Sequence, residues 1–242
     1  DFDARSRELL TVAACIGDQF DVDDLARASG RDASDVRDVV HAAERARVLT
    51  SDGDACAFSH PLIRHALTDT IDPAARAELH RRIADALESR ANNDDAVLAI
   101  ASHLTAARTL VEPARLLDVA RRAGDHAMAV CAWTEATRFF DAAIGALDDV
   151  PGVTEADRAA VHHRLALACA RSLDADRACA EYRIASRSYE AVDDRRGVLV
   201  SEIELTRMFV TLASVAYGSM VDVARLEWAM DRAGAAEEIL RG

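Results

Sequence analysis

Lysine does not occur in this chain; all 29 basic residues among its 242 are arginine. A Walker-type phosphate loop needs a lysine on the nucleotide phosphates, and Schiff-base catalysis needs an amine nucleophile. This chain supplies neither. The bias itself reads as the imprint of a GC-rich genome. Negative charge is in excess. The 42 acidic residues leave a net charge of −13, which argues against a general binder of nucleic acid or of acidic membranes. Aromatic residues make up 5% of the chain, whereas hydrophobic residues make up 50%. Alanine and leucine supply much of that apolar content, a composition suited to helices packed closely on small side chains. The cysteines Cys15, Cys56, Cys131, Cys169 and Cys179 are odd in number and form no C-x-x-C pair. They read as reduced, mostly buried small hydrophobes of a cytoplasmic protein. No signal-peptide pattern opens the sequence. The longest apolar run, residues 208–216, is broken by Thr211 and Ser214 and is far shorter than the roughly 20 residues a membrane helix needs.

Proline is sparse too, and its placement is informative. Pro61, Pro73 and Pro113 each stand directly before a helical pattern, and Pro151 lies in a linker before one. Proline suits the first helical turn, where its missing N–H costs nothing. Asp72, just before Pro73, is a good N-cap. The chain therefore reads as helices with short connections. Leu9, Leu10, Val12, Ala13 and Ile16 mark a first helix. A short second helix starts at Asp21-Val22-Asp23-Asp24-Leu25-Ala26 and ends at the C-cap candidate Gly30. Residues 34–47 make a third, with Val36, Val39, Val40 and Ala43 inward. A hairpin follows over residues 48–58, its turn signalled by Asp52-Gly53. Three helices and a β-wing predict a winged-helix domain over 1–71. Connecting helices are expected over 72–110, with Leu79, Ile83 and Leu87 on one face, and helical repeats over 111–242.

The repeat signal lies in two helix pairs, 113–130 with 133–147, and 157–173 with 175–192. Gly124, Ala136, Phe140 and Ala143 fall at offsets 0, 12, 16 and 19, and Ala166, Ala178, Tyr182 and Ala185 repeat those offsets 42 residues later. This small, small, aromatic, small spacing resembles the tetratricopeptide (TPR) repeat, whose usual period is about 34 residues. The linker around Pro151-Gly152 accounts for the excess. A third pair is expected over 198–217 and 223–240. No repeat pair buries its apolar face alone, so the face at Ile203, Leu205, Phe209 and Leu212 needs a neighbour. That neighbour is either further chain, in which case the sequence is a cut fragment, or a second copy in a homodimer. Trp133, Phe139, Phe140, Tyr182, Tyr189, Phe209, Tyr217 and Trp228 are expected mostly in the core between helices. The fold class is thus mainly α: a winged helix with a small β-hairpin, followed by a TPR-like α-α superhelix.

Other constellations are weaker. The third helix would be the DNA reader, but Arg31, Arg37, Arg45 and Arg47 are balanced by Asp32, Asp35, Asp38 and Glu44, leaving no local attraction for phosphates. No direct nucleic-acid contact is expected. His60, His65 and His80 could converge, and His162 and His163 are adjacent. Neighbours on a helix point about 100° apart, and no cysteine or carboxylate completes a ligand set. No metal is expected. No G-x-S-x-G elbow or supported Cys–His pairing occurs, so no catalytic residue is assigned and the chain is not expected to be an enzyme.

The segments Leu9 to Gly17, Asp21 to Ala28, and Phe58-Ser59-His60-Pro61-Leu62-Ile63-Arg64 through Arg76-Ala77-Glu78-Leu79-His80-Arg81-Arg82-Ile83-Ala84 resemble signal-transduction ATPases with numerous domains. These are the STAND class, including LuxR-type bacterial transcription regulators and cyclase-linked regulators. In that class a P-loop ATPase domain precedes a winged helix and TPR-like helices. The resemblance implies a non-catalytic regulatory fragment without its own cofactor, in which ATP or ADP belongs to an ATPase domain of the same polypeptide. It also implies a protein, peptide or small-molecule inducer on the helical repeats, no membrane contact, and a cytoplasmic location. Related switches end the winged helix with Met-His-Asp, whose histidine contacts the ADP β-phosphate. Here Ser59-His60-Pro61 takes that place and Leu62-Ile63-Arg64 follows. His60 is the implied nucleotide sensor. The alternative for His60 is a helix cap or packing against the wing. The alternatives for the whole chain are a free-standing TPR interaction scaffold and the arm of a cyclase-linked regulator.

Overall fold

The computed structural model describes residues 2–53, 55–90 and 96–215. The chain is mainly helical with one small sheet, consistent with a TPR-like helical fold, and divides into two compact units, Asp1–Glu112 and Pro113–Gly242. The expected helix over 223–240, together with Tyr217 and Trp228, lies outside the described residues.

The first unit begins with α1 (Ala4–Ile16), β1 (Gln19–Asp21), α2 (Val22–Ser29) and α3 (Ala33–Arg45). The strands β2 (Leu49–Asp52) and β3 (Ala55–Phe58) come next, then α4 (Pro61–Thr68), α5 (Pro73–Arg90) and α6 (Val97–Ala106). Local chemistry sets most of these boundaries. The Asp3 carboxylate accepts the Ser6 N–H, Asp21 accepts the Asp23 N–H, and Asp72 accepts the N–H groups of Ala74 and Ala75. Each satisfies donors that the first helical turn leaves unpaired. Gly30 ends α2 at φ 69, in the left-handed region where a Cβ would be strained. Arg47 at φ 58 closes α3 two residues earlier than the apolar pattern predicts. In the hairpin Asp52 pairs with Ala55, so the reversal begins at Gly53 (φ 66), one residue later than the Asp52-Gly53 signal.

The sheet has three strands, not two, in the order β1-β3-β2, all antiparallel. The sequence gives no sign of β1, because three residues are too few to display an alternating pattern. Phe20 of β1 is buried and its ring lies 6.0 Å from that of Phe58. One core joins Leu9, Leu25, Val36, Val40 and Leu49 to Ile83 and Ala86 of α5. Polar pins reinforce that packing. Arg64 donates to the Ala14 carbonyl at 3.0 Å, Arg76 to that of Thr68 at 2.7 Å, and Arg82 to that of Ala28 at 2.6 Å. These carbonyls lie in the last turns of α1, α4 and α2, where unpaired acceptors and the helix dipole favour a cation.

The second unit stacks α7 (Pro113–Ala129), α8 (Trp133–Leu147), α9 (Glu155–Arg171), α10 (Ala175–Ala191) and α11 (Arg195–Val215). Thr154 and Asp157 form a reciprocal capping box at the start of α9. The spaced residues are the packing residues. Ala136, Ala143, Ala166, Ala178 and Ala185 are fully buried, and so are Phe140 and Tyr182. A Cβ on Gly124 would stand 2.6 Å from the Phe140 ring. Gly197 is held the same way, its missing Cβ 2.4 Å from the Tyr189 ring. Ion pairs tie successive helix pairs together: Arg164 of α9 to Asp125 of α7, and Arg177 of α10 to Asp141 of α8.

Tyr182 carries one anomaly. Its hydroxyl is buried without a hydrogen-bond partner among the described residues, and desolvation pushes the phenol well above its ordinary range. The equivalent residue of the preceding pair is Phe140. Removing an unpaired buried hydroxyl relieves a desolvation cost. Tyr182→Phe should therefore leave stability unchanged or raise it by up to about 1 kcal/mol, read as the urea midpoint at constant m-value.

Candidate functional site

The junction between β3 and α4 places His60. Ser59 fixes the strand end: its N–H donates to the Val48 carbonyl at 3.0 Å and its hydroxyl to that of Arg47 at 2.7 Å. His60 has extended backbone dihedrals and stands at the N-cap, with Pro61 as the first helical residue. The imidazole Nδ1 accepts the Leu62 N–H at 3.1 Å. An accepting Nδ1 carries no proton, so the ring proton sits on Nε2. The side chain is exposed, and Leu62 beside it is 67% exposed. A polar donor and an apolar side chain thus share one open edge of the unit. Arg64, one turn on, donates to Ala14 and pairs with Asp18 at 3.2 Å. It pins α4 to α1.

The other histidines do not gather around His60. His65 is exposed, while His80 turns inward to His103 of α6, Nδ1 to Nδ1 at 2.9 Å. His103 is 7% exposed and also bonds the backbone of Ile16. Burial, reinforced by His80, drives its pKa down to about 4. His80 is lowered by burial and then by Arg76 and Arg64. The pair is therefore neutral at pH 7. It links α5, α6 and the end of α1. Sequence reading singled out His80 but not His103. Only the apolar company of Val97, Ile100, Ala101 and Leu104 marks it as a buried polar residue.

In the second unit, His162 and His163 diverge as helical neighbours must. His162 meets Glu181 of α10 at 2.6 Å, and His163 meets Ser201 of α11 at 2.9 Å. His163 also stands edge-on to Tyr182, with 5.5 Å between ring centroids. Among the described residues no group of three or more His, Cys, Asp or Glu side chains is placed to hold a metal ion. Cys15, Cys56 and Cys169 are buried and Cys131 is exposed. Among the described residues no helix is long and apolar enough to cross a membrane.

No protein-family model matches the chain, and no curated protein matches it. Among solved structures it is similar to the crystal structure of the Signal Transduction ATPase with Numerous Domains (STAND) protein with a tetratricopeptide repeat sensor from Pyrococcus horikoshii. The identity is 12% and the TM-score 0.41, over 100% of this chain and 42% of that chain. The chain thus spans about two fifths of the length of that protein.

Proposed function

We propose that this chain is the non-catalytic sensing and relay region of a STAND-class, LuxR-type transcription regulator that depends on ATP. The element order α1-β1-α2-α3-β2-β3, with β3 central in the sheet, supports reading the first half of unit one as a winged helix. The repeated small-against-aromatic packing of α7 to α10 supports a TPR-like sensor for a protein, peptide or small-molecule inducer. The observation that carries the reading is the geometry of His60. Its Nδ1 is committed to the α4 cap, and its Nε2–H is left on an exposed edge beside Leu62. A ring N–H held in place by its own helix is suited to a nucleotide phosphate presented by an ATPase domain of the same polypeptide. The chain itself holds no cofactor in this reading. An inducer on the repeats acts by breaking the contact between the two domains.

The test separates the sensor from the cap. Asparagine is a good N-cap acceptor but lacks the outward ring N–H. In the natural full-length polypeptide, His60→Ala and His60→Asn should both weaken ADP binding by about tenfold or more, the scale of a lost hydrogen bond to a charged group. Only His60→Ala should lower stability, by about 1 kcal/mol. Unchanged ADP affinity and basal activity in both variants would overturn the proposal.

A further inference from the structure

Against α4, unit one holds a cleft of about 430 Å³ that His60 does not line. The ends of α1, α4 and α6 and the first turns of α5 enclose it. Arg64, Arg76, His80, Cys15, Thr68 and Ala106 are among its lining residues, and no aspartate or glutamate is.

The two guanidinium groups are fixed but not equally neutralised. Arg64 donates to Ala14 and also pairs with Asp18, whose side chain is 75% exposed. Arg76 donates to the Thr68 carbonyl, and among the described residues it has no carboxylate within ion-pair distance. Both arginines are close enough to depress the protonation of His80 and to oppose the desolvation of the Cys15 thiol. His80 and Cys15 therefore feel one positive field. A half-buried guanidinium with a single carbonyl partner keeps further N–H groups in a fork that matches an oxyanion. Ala14, Ile71, Pro73, Ala77 and Ala106 supply an apolar wall beside it.

We propose that this cleft binds a small organic anion, its phosphate or carboxylate group held by Arg76 with Arg64 beside it and its apolar part against the alanine and proline wall. The site is independent of the nucleotide reading of His60. An anion seated there opposes the field on His80 and so favours its imidazolium.

The 242-residue chain is titrated with inorganic phosphate and, separately, with succinate, at constant ionic strength against chloride. The imidazole C–H signals of His80 and His103 are followed by NMR. The expected result is saturable binding with half-saturation at or below about 5 mM, together with an upward shift of the His80 titration. The tighter probe tells which oxyanion the cleft prefers. Arg76→Met should weaken binding at least tenfold. Because Arg76 also pins α4, a second variant guards against simple misfolding: Ala106→Glu sets a carboxylate at an exposed edge of the cleft, and should weaken binding similarly while leaving the fold intact. Signals that follow ionic strength alone, or equal binding in a folded Ala106→Glu, would overturn the proposal.

Discussion

Gly124→Val should cost the second unit about 2–3 kcal/mol, and Phe140→Ala about 3–5 kcal/mol, yet the double variant should be more stable than the sum of the two losses. Gly124 has no room for a Cβ because the Phe140 ring stands 2.6 Å from where it would be, and that ring is 1% exposed. Valine forces the ring out of a filled core. Removing the ring leaves a cavity on the same spot, which valine then fills. Two substitutions sharing one volume are coupled, and a double-mutant cycle by urea unfolding reads that coupling directly. It should favour the double variant by about 1–3 kcal/mol. Gly124→Ala is the gentler control, because the next helix pair carries an alanine, Ala166, at the equivalent offset from Tyr182. Strict additivity would show that the two residues do not share this volume.

The first unit should lose stability as the pH falls from 6.5 toward 4, and His103 should be the main histidine behind that loss. In the unfolded chain His103 takes up a proton near its ordinary value of 6.5; in the fold it does so only at about 4. Between those values the unfolded state binds the extra proton, so unfolding is favoured as acid is added. The contribution is complete above the unfolded value and is lost on the way down through the folded one. At pH 4.5 the loss amounts to about 2–3 kcal/mol. His80 is lowered by burial in the same direction and adds to it. His103→Gln keeps a side chain able to bond the Ile16 backbone but cannot titrate. Its unfolding free energy should fall by about 2–3 kcal/mol less than that of the unaltered chain between pH 7.5 and pH 4.5. Parallel pH dependences for the two proteins would sink the assignment.

Long, punctuated elements were legible from residues alone. Pro61, Pro73 and Pro113 are the first residues of α4, α5 and α7, and the spacing gave α8 at Trp133–Leu147 as observed. The offsets from Gly124 to Ala143 were readable because each position has a steric requirement, small against aromatic. What escaped was set by partners far along the chain. β1 is a strand only because β3 lies beside it. Ile83 looked like part of a helix face, but nothing local shows that this face closes the core of Leu9 and Val36. His60 was legible as a strand-to-helix junction, and its cap follows from Pro61 fixing the helix start. The pairing of His80 with His103 was not legible. It depends on how α5 and α6 meet, and neither helix carries a pattern that sets their register.

The three arginine pins on the carbonyls of Ala14, Thr68 and Ala28 differ from salt bridges in two respects. A carbonyl has no proton to gain in acid, and a guanidinium does not lose its proton below strong alkali. A carbonyl is also a dipole rather than an ion, so dissolved electrolyte screens it less than it screens a carboxylate. These three contacts are consequently tolerant of brine and of swings in acidity that dissolve ordinary surface ion pairs. Changes of acidity reach the histidine pair before they reach the arginine pins.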